Sequence, residues 1–201
     1  MLSVKEMITR IRAETHDHQM AGFQDWEILM YINDGLRFIR RQIMDIYPSY
    51  LADINMEGEI GEDENTLYLY RPVSSIIEVR IDGKIIDCVN PRTIGKLNET
   101  GRPKAYYLQG NQTLRLWPVA DKTYEYSLTA VGDMERLTLE DETPLPNEMD
   151  DFVQEYAIYR MSMTNEFDMS QENNVMANIA QQIMSMLRDY TPPAVQMRSY
   201  W

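Results

Sequence analysis

The chain has 201 residues, of which 32 are acidic and 19 basic, so it carries a net charge of −13 at neutral pH. This length suits one domain with an elaboration or two small domains, and so acidic a surface argues against a protein that grips DNA through its phosphates. The single cysteine, Cys88, excludes an internal disulfide and multi-cysteine zinc sites, and we expect it to be a small packing residue. No apolar run has the length of a membrane span or resembles a signal peptide, so we expect a soluble protein made in the cytoplasm.

The chain begins with the pattern of a short amphipathic helix. Ser3 and Glu6 have the spacing of a capping box, in which the two side chains satisfy free backbone N–H groups at a helix start. Apolar residues at helical spacing follow, and we expect this first helix to end near Arg12. The loop after it contains both histidines of the chain, His16 and His18.

The stretch from Trp26 to Pro48 predicts a long helix around which the rest of the chain is arranged. The helix is expected to begin after Asp25, whose carboxylate can cap free N–H groups, and to end before Pro48. Trp26 is expected to face back towards the first helix, so that the two form an antiparallel hairpin. Asn33 is expected to bond the end of the first helix or the loop after it. The apolar stripe recurs in steps of three and four at Leu29, Ile32, Leu36, Ile39 and Ile43.

After Pro48 the apolar period changes to two, which predicts an all-β segment up to about residue 131. Asp82-Gly83 and Gly110-Asn111 have the composition of hairpin turns, because these residue types tolerate positive φ angles. Residues 57–65 are expected to be an acidic loop, and residues 90–103 an ordered loop that crosses between the two hairpins. The predicted strands cover residues 51–56, 66–70, 76–80, 84–86, 105–109, 113–118 and 124–130.

Two further helices are predicted towards the C-terminus. Asn147 is expected to cap the third helix, with acidic residues in the first turn complementing the helix dipole. Asp168 or Ser170 is expected to cap the fourth helix, which should end at Tyr190, before a Pro-Pro pair. The predicted stripe of the third helix is Phe152, Val153, Tyr156, Tyr159 and Met163. That of the fourth helix is Val175, Met176, Ile179, Ile183, Met186 and Leu187.

Four amphipathic helices, two before and two after the strands, predict an α+β fold. Residues 1–48 and 133–190 would supply the N-terminal and C-terminal helical hairpins of a four-helix bundle, and residues 49–132 an inserted antiparallel β module. Residues 191–201 show no helical or strand period and end in Tyr200-Trp201. Large aromatic residues anchor interfaces, and the residues alone leave open whether this extended arm packs on its own domain or on another protein.

Several segments share a pattern with one known family. These are DWEILMYINDGLRFI in the second helix, RLWP late in the β-rich middle, and ETPLPNEMDDFVQEYAIYRMSM at the third helix. The pattern resembles the head–tail adaptor (connector) proteins of tailed bacteriophages. Gly35 stands where alanine is more usual in that family, and we expect it to mark a close helix approach, because a mid-helix glycine costs about 0.5–1 kcal/mol relative to Ala. The matching residues are Asp25, Trp26, Leu29, Tyr31, Ile32, Asn33, Arg37, Ile39, Leu145, Pro146, Tyr159 and Arg160.

The resemblance implies a structural, non-catalytic virion protein without cofactor, metal or membrane. It implies a ring, commonly of twelve copies, that lies between the portal protein and a tail or nozzle protein, while DNA passes through without specific binding. The protein would be found at the head–tail interface of the virion, and in the host cytoplasm during assembly. In such relatives the C-terminal tail commonly inserts against the portal. The resemblance therefore implies a portal-binding arm of Arg188, Tyr190, Pro192, Pro193, Val195, Met197, Arg198, Tyr200 and Trp201.

The densest basic group of the chain is Arg37, Arg40 and Arg41. One helical face of arginines could meet phosphate. In so acidic a protein, however, we expect these residues to pair with carboxylates of a neighbouring subunit, and they are candidates for a subunit interface.

Two other functions remain open from the residues. His16-Asp17-His18 could serve a metal-dependent phosphohydrolase or nuclease, but a third and a fourth ligand are not indicated, so exposed loop residues are the favoured interpretation. A carbohydrate-binding β module would use aromatic side chains as stacking platforms, although alternating aromatics on strands are more often core residues or cross-strand pairs. The platform candidates are Tyr106, Tyr107, Trp117, Tyr124 and Tyr126. Motifs for nucleotide binding and acyl transfer are missing from the sequence.

Overall fold

The computed structural model describes residues 2–17, 22–94, 96, 99–163 and 169–188, the last of these without the side chains of residues 169–173. The described residues form four α-helices and two four-stranded sheets, so the fold is α+β. The chain divides into two compact units: a helical unit, Met1–Tyr47 with Glu135–Trp201, and a strand unit, Pro48–Met134. Within the described residues, no helix combines the length and the apolar character that crossing a membrane requires.

The helical unit is arranged around its longest helix. Its helices are α1 (Val4–Glu14), α2 (Asp25–Ile46), α3 (Asn147–Met163) and α4 (Met169–Arg188). Helix α2 contacts each of the other three, and α3 also contacts α1 and α4. The closed four-helix bundle stays a prediction.

The two N-terminal helices begin with different caps. The Ser3 hydroxyl accepts a hydrogen bond from the Glu6 backbone N–H at 3.2 Å, which confirms the predicted cap of α1. The Glu6 carboxylate pairs with Arg10 four residues on, at 2.8 Å. The predicted cap of α2 was wrong by one residue. Gln24 is the cap, its backbone N–H donates to the Glu27 carboxylate at 2.7 Å, and the helix already includes Asp25.

The apolar stripe of α2 is buried largely as predicted. Four of its five residues, Ile32, Leu36, Ile39 and Ile43, are fully buried, and Ile28 is buried in place of Leu29. The prediction for Trp26 was wrong, because its side chain is 63% exposed. Phe23, half-buried just before the helix, has its ring edge-on to that of Tyr31, with the centroids 6.3 Å apart.

Asn33 connects α2 to a distant part of the same unit. Its Oδ1 accepts from the Leu137 backbone N–H at 2.8 Å, and its Nδ2 donates to the Leu137 carbonyl at 3.1 Å and to the Leu29 carbonyl at 3.0 Å. The expected partners at the end of α1 were therefore wrong. The side chain acts as a clamp that holds residue 137 on α2.

The buried face of α3 differs from the predicted stripe. Steps of four residues place Met149, Val153, Ala157 and Met161 on one buried face. The large residues Phe152, Tyr156, Tyr159 and Met163 lie on the adjacent face and are only half-buried. Tyr156 lies so close to Gly35 that a Cβ added there would be 3.1 Å from the Tyr156 Cδ1, and it stacks on Phe38 with centroids 5.4 Å apart. The expected close helix approach at Gly35 is confirmed.

Among the described side chains of α4, those fully buried are Ile179, Ile183 and Leu187, all from the predicted stripe. The predicted cap Asp168 and the predicted end at Tyr190 lie outside the described residues. Ser170 lies within the helix.

The strand unit contains two sheets. The first has the order β1 (Ile54–Ile60), β8 (Tyr124–Gly132), β3 (Val73–Ile81), β4 (Lys84–Ile85), and its pairs are antiparallel. The second has the order β2 (Thr66–Tyr68), β7 (Thr113–Trp117), β6 (Ala105–Leu108), β5 (Asp87–Cys88). Both predicted hairpins are confirmed: Asp82 and Gly83 have φ angles of +46° and +73°, and Gly110 has +77°.

Three details of the strand prediction were wrong. Strand β1 begins at Ile54 and extends to Ile60, because the long β8 pairs with it from Ala130 to Tyr124, so residues 57–60 belong to a strand and not to a loop. Strand β5 was not predicted and pairs in parallel with β6, so the second sheet is mixed. Cys88, in this two-residue strand, is exposed and not a packing residue.

The core of the strand unit takes residues from both sheets. Its fully or almost fully buried members include Ile54, Ile60, Val79, Ile81, Leu114 and Leu116. In β3 and β7 one less buried residue, Arg80 or Arg115, separates each of these core residues from the next, the alternation expected of a sheet with one buried face.

Candidate functional site

The outer face of α2 carries two of the three predicted arginines. Arg37 and Arg41 are exposed, and the Arg37 guanidinium pairs with Asp34 one turn earlier. Arg40 is half-buried and already takes part in an interaction within the chain. The structure therefore groups Arg37 with Arg41 and separates Arg40 from them.

Two large apolar side chains share this outer face. Trp26 and Met30 are 63% and 46% exposed, and steps of four, seven and four residues place Trp26, Met30, Arg37 and Arg41 in one line along the helix. We call these four residues the α2 outer stripe. The apolar half of the stripe was not predicted, because Trp26 was expected to face α1, although Trp26 and Met30 lie off the buried stripe in the sequence itself.

The His16-Asp17-His18 segment is organised by a buried arginine of α1. Arg12 donates to the Asp17 carboxylate at 2.7 Å, to the Phe23 carbonyl at 2.9 Å and to the Asp25 carboxylate at 2.6 Å. The side chains of Arg12 and Asp17 are only 7% and 10% exposed. Asp17 also accepts backbone N–H bonds from Gly22 at 2.9 Å and Phe23 at 3.2 Å. Both carboxylate oxygens of Asp17 therefore accept hydrogen bonds that hold the loop together.

This arrangement gives Asp17 a structural role rather than that of a metal ligand. His16 is exposed with φ +57°, and His18 lies outside the described residues. In the described part of the chain, no group of three or more His, Cys, Asp or Glu side chains is placed to hold a metal ion.

A groove of about 450 Å³ lies along α3. Its rim carries three exposed carboxylates, Glu14 of α1 and Asp151 and Glu155 of α3, and its wall includes Ile158 of α3 and Val175 of α4. Gln154, only 6% exposed, also lines it. We call this the α3 groove. The sequence could not predict it, since its residues come from three helices.

The start of α3 contains a buried carboxylate. Asp150 is 3% exposed, and burial raises its pKa, while the neighbouring Thr143 side chain and Leu2 backbone partly oppose the rise. The residue was predicted as one of the acidic residues of the first turn that complement the helix dipole. It instead lies where residues 2–4 pair with residues 141–143, because the Val4 N–H donates to the Asp141 carbonyl and the Thr143 N–H to the Leu2 carbonyl, each at 3.0 Å.

The aromatic side chains proposed as carbohydrate platforms do not form one surface. Tyr106 and Tyr124 are buried and Tyr126 packs against the core. Burial and the neighbouring Cys88 raise the pKa of Tyr106 to about 12. Tyr107 and Trp117 are half-buried, and Lys104 Nζ lies 4.6 Å from the centre of a Trp117 ring. Three of the five rings are therefore core residues.

A family model described as SU10 adaptor protein matches residues 2–200. The chain belongs to the SU10 adaptor protein family. The resemblance to phage head–tail adaptors is thereby confirmed. A search of curated proteins finds no match. As a member of this family the chain is a structural phage adaptor, found in the virion in association with portal and tail components.

For an SU10 adaptor protein the relevant sites are docking surfaces, and the described residues contain two candidates, the α2 outer stripe and the α3 groove. The predicted portal-binding arm lies almost wholly outside the described residues. Only Arg188, the last residue of α4, is described, and it is exposed.

Proposed function

We propose that this SU10 adaptor protein forms a homo-oligomeric ring of twelve copies between the portal and the tail or nozzle, and that DNA passes through its lumen without specific binding. The observation that carries the proposal is the family match over residues 2–200. The charge supports it as well, because each copy contributes −13 and an acidic lumen repels the phosphate backbone.

Within this ring, the four helices form a bundle that acts as the body of each copy. The contacts of α2 with α1, α3 and α4 support this arrangement. Arg37, Arg40 and Arg41 contribute to subunit interfaces, and Arg37 and Arg41 have the exposure that such a role requires. The arm from Arg188 to Trp201 binds the portal, and no catalytic step is part of the function.

Deleting residues 191–201 tests the portal-binding arm. We expect the truncated protein to keep its helical circular dichroism signal and its melting temperature, because α1 to α3 and the described residues of α4 all lie before the deletion. It should no longer attach to purified portal particles in a co-sedimentation assay.

The matched control is a pair of point variants in the full-length chain. Tyr200→Ala with Trp201→Ala removes the aromatic anchors and should reproduce the loss, whereas Ser199→Ala beside them should bind like the wild type. Full portal occupancy by the truncated protein would refute the role of the arm.

A further inference from the structure

Two exposed surfaces of the helical unit carry opposite charges. The first, the α2 outer stripe, presents a tryptophan and a methionine that are 63% and 46% exposed. Two exposed arginines follow along the same line of the helix. Tryptophan and arginine are the residues most enriched at the centres of protein interfaces, and large exposed aromatic side chains are costly to leave in water.

The second surface, the α3 groove, has the opposite charge. Glu14, Asp151 and Glu155 rim it, and none of these carboxylates pairs with a cation among the described residues. Asp151 and Glu155 are four residues apart on one helix, a spacing at which like charges repel. Together they favour a cationic occupant.

The wall of the groove also points to an occupant. Ile158 and Val175 supply apolar contacts that are only partly buried. Gln154, only 6% exposed, also lines the groove. An occupant with large apolar side chains would remove the remaining apolar surface of Ile158 and Val175 from water.

We infer that the α2 outer stripe of one copy docks in the α3 groove of the next copy. Trp26 and Met30 would cover the apolar wall, and Arg37 and Arg41 would pair with the carboxylates of the rim. This inference deepens the proposed function and rests on it, since it assigns the contact that joins neighbours in the ring. The occupant is a second copy because the chain itself carries a stripe with the complementary charge and apolar character.

The contact would be heterologous, because stripe and groove are different surfaces of one unit. Head-to-tail contacts of this kind close into rings when the rotation between copies divides a full turn evenly, whereas a two-fold contact ends at a dimer. Charge pairs at the rim would also make assembly weaken as salt is added.

Disulfide trapping on the purified full-length chain tests this contact without any portal. The exposed Cys88 is first replaced by serine. One variant then carries Met30→Cys in the stripe and another carries Ser162→Cys, an exposed residue of the groove lining. We expect oxidation of a mixture of the two to give a cross-linked pair, and either variant alone to give at least about tenfold less, because no second cysteine then lies within bonding distance across the contact.

Charge reversal supplies a second measurement. Arg41→Glu or Glu155→Arg, each added alone, should lower the cross-linked yield about tenfold, and the two together should restore it, because the pair is re-formed with exchanged signs. Thr9→Cys replaces Met30→Cys as a control, since it is exposed on α1 and does not belong to the stripe. This control should not cross-link.

The inference is overturned if the mixture gives no cross-linked pair, if the charge reversals leave the yield unchanged, or if Ser199→Cys of the C-terminal arm is trapped at Ser162→Cys in place of Met30→Cys. Circular dichroism and melting of each variant separate loss of contact from loss of fold. A chain that cross-links as expected but never attaches to portal particles would refute the proposed function alone. Attachment without this cross-link would refute the inferred contact alone.

Discussion

Replacing Arg12 with methionine tests whether the contacts of the loop after α1 stabilise the helical unit. Met keeps the apolar stem but removes the guanidinium that bonds Asp17, the Phe23 carbonyl and Asp25. Asp17 would then hold an almost buried charge without the Arg12 guanidinium, while the backbone N–H bonds from Gly22 and Phe23 remain. We expect the helical unit to lose much of its stability.

The magnitude is set mainly by the Asp17 contact. Removing one partner of a buried ion pair costs about 3–5 kcal/mol, because the other charge is left without compensation. The Asp25 side chain is 45% exposed, so its loss adds only roughly 0.2–1 kcal/mol. We therefore expect the free energy of unfolding to drop by about 3–5 kcal/mol.

The same helix offers a matched control. Arg10 pairs with Glu6 at 2.8 Å, but the two side chains are 49% and 53% exposed, and such a pair contributes only about 0.3–0.5 kcal/mol. Urea unfolding followed by circular dichroism measures both variants. If Arg12→Met and Arg10→Met destabilise equally, or if zinc or manganese restores Arg12→Met, the structural role of Asp17 is refuted.

Three further predictions concern contacts inside the helical unit. Asn33→Ala should lower the free energy of unfolding by about 2–4 kcal/mol, because both backbone groups of Leu137 lose a partner. Gly35→Ala should destabilise by about 1 kcal/mol, since overpacking against Tyr156 at 3.1 Å outweighs the gain in helix propensity. Asp150→Asn should raise the melting temperature at pH 7 but not at pH 3, because burial raises the pKa of Asp150. The stability that comes from keeping this carboxyl group protonated is fully present below the unfolded-state pKa of 3.8. It is lost as the pH rises through the folded-state pKa.

Each of these predictions has its own control. Asn55→Ala removes an exposed amide that bonds only the Thr129 hydroxyl, and it should leave stability unchanged. If Asn33→Ala and Asn55→Ala lower the free energy of unfolding equally, the role of Asn33 in holding Leu137 on α2 is refuted. A Gly35→Ala variant more stable than the wild type would contradict the tight contact with Tyr156. For Asp150→Asn, a gain in melting temperature of the same size at both pH values would show that charge burial is not the cause.

Local patterns predicted most of the elements because they depend on neighbouring residues. The Ser3 cap, the buried α2 residues from Ile32 to Ile43 and the Asp82-Gly83 turn all follow from spacing or backbone preference within a few positions. Gly35 allowed a tertiary contact to be predicted as well, because a residue that destabilises a helix interior indicates that a larger side chain would not fit there.

The errors arose where distant partners decide the outcome. Strand β1 extends to Ile60 because β8 is long enough to pair with it, and β5 exists only through its pairing with β6. Asn33 bonds Leu137, which lies 104 residues away in the sequence. For the candidate site, the arginines of the α2 outer stripe were predicted from composition, whereas the α3 groove requires the packing of α1, α3 and α4 and has no local signature.

The mass of the assembly formed with and without portal particles tests the proposed ring most directly. We predict that purified portal particles bind twelve copies of the chain, with the increment in mass that this number requires. Particles that bind no copies, or a number incompatible with one closed ring, would contradict the proposal that this SU10 adaptor protein forms a ring on the portal.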